Sequence, residues 1–249
     1  MALLQTEAVV LATRNWGEAD KIITFFSGEY GKIKALAFGC RRPKSPLAAA
    51  LQPFNHLEVQ LSEGGKLAAV KQCSLRKSFF SLGENIETVA YAAFVAEFVS
   101  EFFPENLPSP EAFDRLLEVL AAFQCRSPRI TALAAVLQLM EYTGSQLIFD
   151  QCVHCGAKLG QQEQNSFSLE EGGALCGKCS AGQKNVLPYS SSLQIFFQQL
   201  LTLAWQDKPN FKVQAQDLMQ AEKILLKYLQ HLLGHQLKSL TFIQQIGRI

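Results

Sequence analysis

The sequence predicts an α+β protein of several parts: an N-terminal β-barrel, an all-α domain after it, and a four-cysteine segment inserted among the helices. Three observations predict this architecture. Short alternating or apolar runs, separated by turn residues, fill the first 80 positions. From position 82 onward, apolar residues recur at helical spacing. This spacing fails between positions 150 and 182, where glycine is frequent and two CxxC pairs occur.

Five short strands are predicted in the first part of the chain. Five strands with no helix-rich crossover between them favour a small closed or partly closed barrel, and the OB-fold is the commonest five-stranded version. An SH3-like barrel would give a similar pattern, so the alternation alone leaves both open. The predicted strands are residues 8–12, 22–26, 32–38, 57–61 and 67–75.

The second part of the chain is predicted to be helical. Pro104 ends the first helix, Pro108 and Pro110 mark a connector, and Gly144 ends the third helix. We therefore predict a barrel domain over residues 1–80 and a helical domain over residues 81–249, with the helical domain interrupted by residues 150–182. The predicted helices are residues 86–103, 112–123, 129–142, 193–205 and 214–234.

Charge is sorted along the chain although the formal net charge is only +1. Residues 1–80 contain eleven Lys and Arg and six acidic residues, whereas residues 81–149 contain three basic and nine acidic residues. Residues 183–249 are basic again, with seven basic and three acidic residues. The barrel is therefore the more basic module and the candidate for binding a polyanion.

The sequence also predicts where the protein works. The N-terminus lacks the charged and apolar regions of a secretory signal, and no apolar run reaches the roughly 18 residues of a membrane span. We therefore expect a cytoplasmic protein without a membrane partner. An odd number of cysteines, seven, in a reducing compartment argues against a disulfide framework and favours metal binding.

The four cysteines of the inserted segment have the spacing of a structural zinc site. Cys152 and Cys155 form one CxxC pair, and Cys176 and Cys179 form the other. Two intervening residues let both thiolates of each turn face one cation. Four protein ligands leave no position for a catalytic water, so we predict one structural Zn²⁺. The alternative is a pair of vestigial or redox-active CxxC turns, although no βαβ unit accompanies them.

The other cysteines and the aromatic residues of the barrel are predicted to be structural. Cys40, Cys73 and Cys125 lack ligand spacing and are expected to be buried. His154 lies inside the first CxxC pair but is not expected to be a fifth ligand. Aromatic side chains usually fill the interior of small barrels, so a core position is also expected for Phe25, Phe26 and Trp16.

A cationic loop follows the third predicted strand. Arg41, Arg42 and Lys44 lie close together there, and a period of two places Lys32 and Lys34 on one face of the strand with apolar residues. Cations next to stacking surfaces are how single strands are bound without sequence recognition. The alternative is that these charges only solvate strand edges and a loop. Four further cations extend the predicted DNA-binding set: Arg14, Lys71, Arg76 and Lys77.

Motifs for nucleotide binding and for catalysis are absent from the sequence. It contains no GxxxxGK[ST], GxGxxG, HExxH or GxSxG pattern. The acidic residues at positions 84–118 are spread along predicted helices at solvent-facing spacing, which does not favour a paired-carboxylate site. We therefore predict no nucleotide cofactor and no enzymatic activity.

Several segments, in this order, resemble the RecO family of bacterial DNA repair proteins. The resemblance covers nearly the whole chain and includes the barrel, the helical body and the four cysteines. The segments that carry it are residues 7–11 (EAVVL), 17–24 (GEADKIIT), 39–45 (GCRRPKS), 167–176 (FSLEEGGALC) and 237–240 (LKSL).

The resemblance implies a recombination mediator of the RecF pathway. Such a protein binds single- and double-stranded DNA, anneals complementary strands and, with RecR and in many bacteria RecF, helps load RecA onto strands coated by single-strand-binding protein. It also implies association with the nucleoid, and a helical-domain pocket for the acidic tail of single-strand-binding protein. Arg115, Arg126 and Arg129 are the candidate pocket cations, or else pair with helix-surface glutamates. Some family members lack these cysteines, which implies an architectural zinc.

Three other functions are compatible with parts of the sequence. A zinc-ribbon adaptor would use its barrel to bind a protein and would have no direct DNA role. A thiol oxidoreductase would use one of the CxxC pairs, and a general RNA-binding protein would use the barrel. DNA binding that weakens as salt rises would separate the mediator from the adaptor, and zinc retention without dithiol turnover would exclude the oxidoreductase.

Overall fold

The computed structural model describes residues 3–62, 67–79, 85–159, 165–206 and 213–246. The predicted domain boundary at residue 80 and part of the inserted segment lie outside these residues. The chain is divided into two compact units. The first contains residues 1–128 and 238–249, and the second contains residues 129–237.

The N-terminal strands form a closed five-stranded barrel, which confirms the predicted OB-fold. The strand order is β1-β2-β3-β5-β4, with β1 also pairing with β4 and a short parallel pairing between β3 and β5. A helix of five residues, α1 (Pro46–Ala50), joins β3 to β4 and was too short to predict. The strands are β1 (Leu3–Trp16), β2 (Asp20–Ser27), β3 (Gly31–Ala37), β4 (His56–Ser62) and β5 (Ala68–Lys77).

Apolar residues that alternate along the strands fill the interior of the barrel. In β3, Ile33, Ala35 and Ala37 are buried while Lys34 is exposed, as a period of two requires. β1 pairs with β4 along its first half and with β2 along its second half. A bulge between Val10 and Ala12 accompanies this change of partner, because a strand must bend to close a small barrel.

Helices follow the barrel, and most lie where the sequence predicts them. The predicted fourth helix ends earlier than expected, at Leu201, and α8 was not predicted. None of the described helices has both the length and the apolarity that a membrane span requires. The helices are α2 (Ile86–Phe102), α3 (Pro110–Ala122), α4 (Pro128–Leu139), α5 (Gly177–Ser180), α6 (Ser191–Leu201), α7 (Ala215–Leu233) and α8 (Lys238–Ile246).

The inserted segment and the residues that directly follow it form a small three-stranded sheet. Its strands are β6 (Asn165–Ser168), β7 (Gly173–Leu175) and β8 (Val186–Tyr189), in the order β7-β6-β8. The short strands were not predicted because three or four residues give no clear periodicity. Phe167 of β6 is completely buried. The sheet therefore gives the cysteine turns a packed support.

The connector after α2 packs against the hairpin between β2 and β3. The N–H of Asn106 donates to the carbonyl oxygen of Lys32 at 3.0 Å. The N–H of Ser109 donates to the carbonyl oxygen of Gly28 at 2.9 Å. Gly31 lies between these bonds with a φ of 63°, and a Cβ atom there would be 1.9 Å from the carbonyl oxygen of Leu107. Only glycine fits this approach without moving the connector.

We predict that Gly31→Ala destabilises the first unit far more than Gly17→Ala does. Gly17 has a similar φ of 57°, but a Cβ atom there would meet nothing within 4 Å. Both variants carry the cost of about 1 kcal/mol for a left-handed alanine. Gly31→Ala adds a backbone clash and should lose at least about 2 kcal/mol more of the free energy of unfolding. Urea denaturation followed by circular dichroism measures the difference, and equal losses would contradict the packing at Gly31.

Candidate nucleic-acid interface and metal centre

The cationic loop after β3 is held against the turn between β1 and β2. The N–H of Gly39 donates to Oδ1 of Asp20 at 2.7 Å, and the N–H of Arg41 donates to the carbonyl oxygen of Ala19 at 2.8 Å. Nη1 of Arg41 also donates to the carbonyl oxygen of Gly17 at 3.2 Å. Loop and turn are therefore one structural feature, which we call the hairpin end (residues 14–21 and 38–45).

The hairpin end brings four of the predicted cations together. Arg41, Arg42 and Lys44 are exposed in the loop, and Arg14 is exposed on β1 two residues before Trp16. The register pairs Trp16 with Asp20, whose carboxylate holds the loop. The sequence predicted these cations individually, but the fold brings Arg14 to the same end of the barrel as the loop.

Trp16 is not in the core, so that prediction was wrong. The side chain is 50% exposed, whereas Phe25 and Phe26 are completely buried, as predicted. β1 and β2 continue past the last core positions of the barrel, and Trp16 lies in this projecting part. The guanidinium carbon of Arg14 is 5.8 Å from the centroid of the Trp16 ring, within cation–π range.

Lys32 and Lys34 lie elsewhere and have partners within the protein. Nζ of Lys32, which is only 9% exposed, donates to the carbonyl oxygen of Ser100 in α2. Burial lowers the pKa of Lys32, against the opposing effect of Glu105. Nζ of Lys34 is 2.5 Å from Oε1 of Glu105, and this hydrogen bond lowers the pKa of Glu105. Both lysines join the barrel to α2 and its connector.

The remaining barrel cations lie on β5 and have varied surroundings. Arg76 contacts two glutamates, with Nη2 at 2.7 Å from Oε2 of Glu58 and Nε at 3.9 Å from Oε1 of Glu7. Nζ of Lys77 is 4.9 Å from the centroid of the Phe79 ring. Lys71 is exposed. The predicted DNA-binding set thus divides into three groups: the hairpin end, the two lysines of β3 and the cations of β5. Among these groups, only the hairpin end combines exposed cations with an exposed aromatic ring, Trp16, which lies within cation–π range of Arg14.

The candidate tail-pocket arginines belong to different units. Arg115 in α3 forms an i,i+3 ion pair with Glu118 at 2.9 Å, which is the helix-surface alternative considered for it. Arg129 in the second unit donates two hydrogen bonds to the carboxylate of Glu222 in α7. Arg126 is half-buried in the first unit. The glutamate partners of Arg115 and Arg129 would compete with any acidic ligand.

The four cysteines of the inserted segment come together in one cluster. Their sulfur atoms all lie within 4.8 Å of one another, and Sγ of Cys155 is 3.9 Å from Sγ of Cys176. Metal–sulfur bonds of about 2.3 Å in a tetrahedron place the sulfurs about 3.8 Å apart. These thiols could therefore hold one metal ion, and four thiolates are a donor set of structural zinc sites.

Local backbone geometry brings the two CxxC turns together. The N–H of Val153 donates to the carbonyl oxygen of Ala174 in β7 at 2.8 Å, which joins the first turn to the strand before Cys176. A Cβ atom at Gly173 would be 2.9 Å from Cβ of Val153. Gly173 therefore allows the close approach, and Cys176 forms the N-cap of α5 at the second turn.

Cys152 and Cys179 of the cluster have pKa shifts in opposite directions. Burial alone would raise the pKa of Cys152, but backbone N–H groups from both CxxC turns outweigh it and lower this pKa to about 6. Hydrogen bonds with the thiols of Cys155 and Cys176 raise the pKa of Cys179 to about 12. Because a metal ion binds thiolates, its binding would release protons from this cluster.

The other cysteines and His154 are separate from the cluster. Nδ1 of His154 is 3.3 Å from Oε2 of Glu171, and this histidine is exposed. Cys40 is buried and Cys73 half-buried, and burial raises the pKa of both. Cys125 is exposed, so its predicted burial was wrong. It lies three residues after the end of α3.

Comparisons with known proteins agree with this architecture. The family model described as Recombination protein O N terminal matches residues 1–79, and the model described as Recombination protein O C terminal matches residues 83–241. A DNA repair protein RecO of Pelotomaculum thermopropionicum is 33% identical over 100% of this chain and 96% of its own length.

Other relatives match over similar lengths. The DNA repair protein RecO of Anaeromyxobacter dehalogenans is 30% identical over 99% of this chain and 98% of its own length. That of Acetivibrio thermocellus is 30% identical over 100% of this chain and 99% of its own length. The barrel, the helical part and the extent of these matches together show that this chain belongs to the RecO family.

Proposed function

We propose that this protein is a recombination mediator of the RecF pathway. Its family supports a role in DNA repair and recombination. In the proposed function it binds single- and double-stranded DNA and anneals complementary strands. With RecR, and with RecF where that protein is present, it helps load RecA onto DNA coated by single-strand-binding protein. The observation that carries the DNA-binding part is the anchored cationic loop beside Arg14 at the hairpin end.

The proposed mechanism is electrostatic and requires no fuel. Exposed cations neutralise phosphates on two strands, which lowers the repulsion between the strands and lets base pairing proceed. The hydrogen bonds from Gly39 and Arg41 fix the loop before DNA arrives, so little conformational freedom is lost on binding. No covalent step is proposed, and therefore no enzymatic activity.

Among the predicted DNA-binding residues, we propose that Arg14, Arg41, Arg42 and Lys44 form the main contact surface. Lys71, Arg76 and Lys77 on β5 extend it, with the charge of Arg76 offset by its glutamate partners. Lys32 and Lys34 are better described as positioning residues, because they bind Ser100 and Glu105. A polyanion would have to break these internal contacts to reach them.

We also propose a contact with the acidic tail of single-strand-binding protein in the helical part of the chain. Arg115, Arg126 and Arg129 support it because they are the only basic residues between positions 81 and 149. A tail carboxylate that binds Arg115 would replace Glu118, and one that binds Arg129 would replace Glu222. A cytoplasmic protein associated with the nucleoid is consistent with these partners.

The metal proposed for the cysteine cluster is one structural Zn²⁺. Zinc prefers tetrahedral sulfur ligands and does not change oxidation state, so it would stabilise the two CxxC turns. The cluster lies in the second unit, whereas the proposed DNA cations belong to the first. Zinc is therefore assigned to the architecture of the inserted segment.

The overall function is tested by strand annealing. Two complementary oligonucleotides are coated with the cognate single-strand-binding protein and mixed without ATP, with and without this protein. We expect clear acceleration, because the mediator would displace the coating protein and screen the phosphates. No acceleration, together with no binding to bare strands, would instead favour the zinc-ribbon adaptor.

We predict that replacing Arg41, Arg42 and Lys44 together with Ala lowers DNA affinity and flattens its salt dependence. Each lost phosphate contact should reduce the slope of log K against log salt by about 0.7 for single strands. Fluorescence anisotropy with a labelled oligonucleotide at several salt concentrations measures both quantities. The control variant removes three exposed lysines of the second unit, Lys184, Lys223 and Lys227, and should bind as the wild type does. Unchanged affinity and slope in the loop variant would refute the role of the loop.

We predict about one equivalent of zinc per chain purified without chelator, and its loss in Cys179→Ser. Removal of one of four ligands opens the site and weakens binding. The control is Cys125→Ser, which changes an exposed cysteine outside the cluster and should keep its zinc. Metal analysis gives the stoichiometry, and thermal denaturation gives the stability of each variant. Well under half an equivalent in the wild type would show that the assignment is wrong.

A further inference from the structure

We propose that Trp16 and Phe38 form a stacking platform for unpaired DNA bases, which gives the barrel a preference for single strands over duplex. This inference rests on the proposed DNA-binding function and extends it from phosphates to bases. Both rings belong to the hairpin end. The loop cations would hold the backbone of the strand, and the two rings would bind its bases.

The exposure of the two rings is the first observation. Trp16 is 50% exposed and Phe38 is 59% exposed, whereas Phe25, Phe26, Phe54 and Phe79 are buried. Each ring precedes a glycine with left-handed φ, Gly17 at 57° and Gly39 at 63°. Both side chains therefore stand where the chain turns at the same end of the sheet. Neither ring contributes to the core of the barrel.

Strand register places the rings on the two sides of β2. Trp16 of β1 pairs with Asp20 of β2. The next residue of β2, Lys21, pairs with Ala37 of β3, and Phe38 directly follows Ala37. Paired residues of antiparallel strands point to the same face of a sheet. Two strand spacings separate the backbones of β1 and β3, about 10 Å. This separation suits two bases of one extended strand.

Charge complementarity selects nucleic acid as the ligand. The guanidinium of Arg14 lies 5.8 Å from the Trp16 ring, and Arg41 is bound to the carbonyl oxygen of Gly17, next to the same ring. The hairpin end contains five cations and two acidic residues, and one of the acids, Asp20, accepts a hydrogen bond from the loop. A groove of cations with exposed aromatic rings is the combination that binds single strands without sequence preference.

A duplex cannot use this platform in the same way. Its bases are already stacked on each other, so their faces are not available to an aromatic side chain. The platform therefore predicts that losing a ring weakens single-strand binding and leaves duplex binding nearly unchanged. A protein partner covering the same rings is the competing explanation.

Intrinsic fluorescence tests the stacking directly because the chain has two tryptophans. The second, Trp205, is 7% exposed, and its indole N–H donates to Oε1 of Gln138. Titration of the full-length protein with oligo(dT) should quench the emission of Trp16, while Trp16→Phe should abolish the quenching and keep part of the affinity. Oligo(dT) is the probe because it forms no duplex.

Affinity measurements supply the second readout. We expect Trp16→Ala and Phe38→Ala each to weaken oligo(dT) binding roughly tenfold and to leave duplex binding within about twofold. Tyr30→Ala is the matched control, because Tyr30 is a partly exposed aromatic residue in the turn between β2 and β3. It should bind both DNAs as the wild type does.

The outcomes separate the platform from the proposed function. DNA binding without quenching, or equal losses for oligo(dT) and duplex, would overturn the platform and leave the DNA-binding function intact. Absence of DNA binding by the wild type would overturn both and would favour a protein ligand for the two rings. Because both rings are exposed, the variants should fold, and an unchanged thermal transition confirms this.

Discussion

The closure of the barrel by β1 is the constraint on which the DNA-binding proposal depends. β1 pairs with β4 in its first half and with β2 in its second, and the bulge after Val10 lets one strand serve both partners. Because the paired part of β1 and β2 extends beyond the core, the strand ends in a projecting hairpin. The loop after β3 is anchored on this hairpin through Asp20 and Arg41. The position of the cations thus follows from how the barrel closes.

The same residue types have different roles according to the local packing. The lysines of β3 alternate with core residues, so the sequence predicted them on one face of the strand and as part of the same DNA-binding set as the loop cations. Lys32 binds Ser100 in α2, and Lys34 binds Glu105 in the connector after α2. The loop cations Arg41, Arg42 and Lys44, by contrast, are exposed. Charge alone therefore does not identify a DNA-binding residue, and packing decides which cations remain available.

Periodicity predicted the fold well and the surface less well. Five strands and the main helices follow from the spacing of apolar residues, and the ligand cluster follows from the CxxC spacing of Cys152 to Cys179. The exposure of Trp16 depends on how far β1 and β2 project past the core of the barrel, and no local sequence pattern predicts this. Exposure of Cys125 likewise depends on what packs beside the end of α3. Short strands such as β7 were missed because their pairing partners, and not their own sequence, define them.

The anchored cationic loop and the exposed rings of the hairpin end together explain how one small surface could serve a recombination mediator. Phosphate contacts weaken with salt and act on single strands and duplex alike, whereas base stacking acts only on unpaired bases. A surface with both would bind a separated strand more tightly than the duplex that annealing produces. The product would then leave more readily than the substrate, without a nucleotide to drive release. At the hairpin end, Arg41 is bound to the turn that follows Trp16. The phosphate contacts and the base stacking therefore both depend on the position of the loop that contains Arg41.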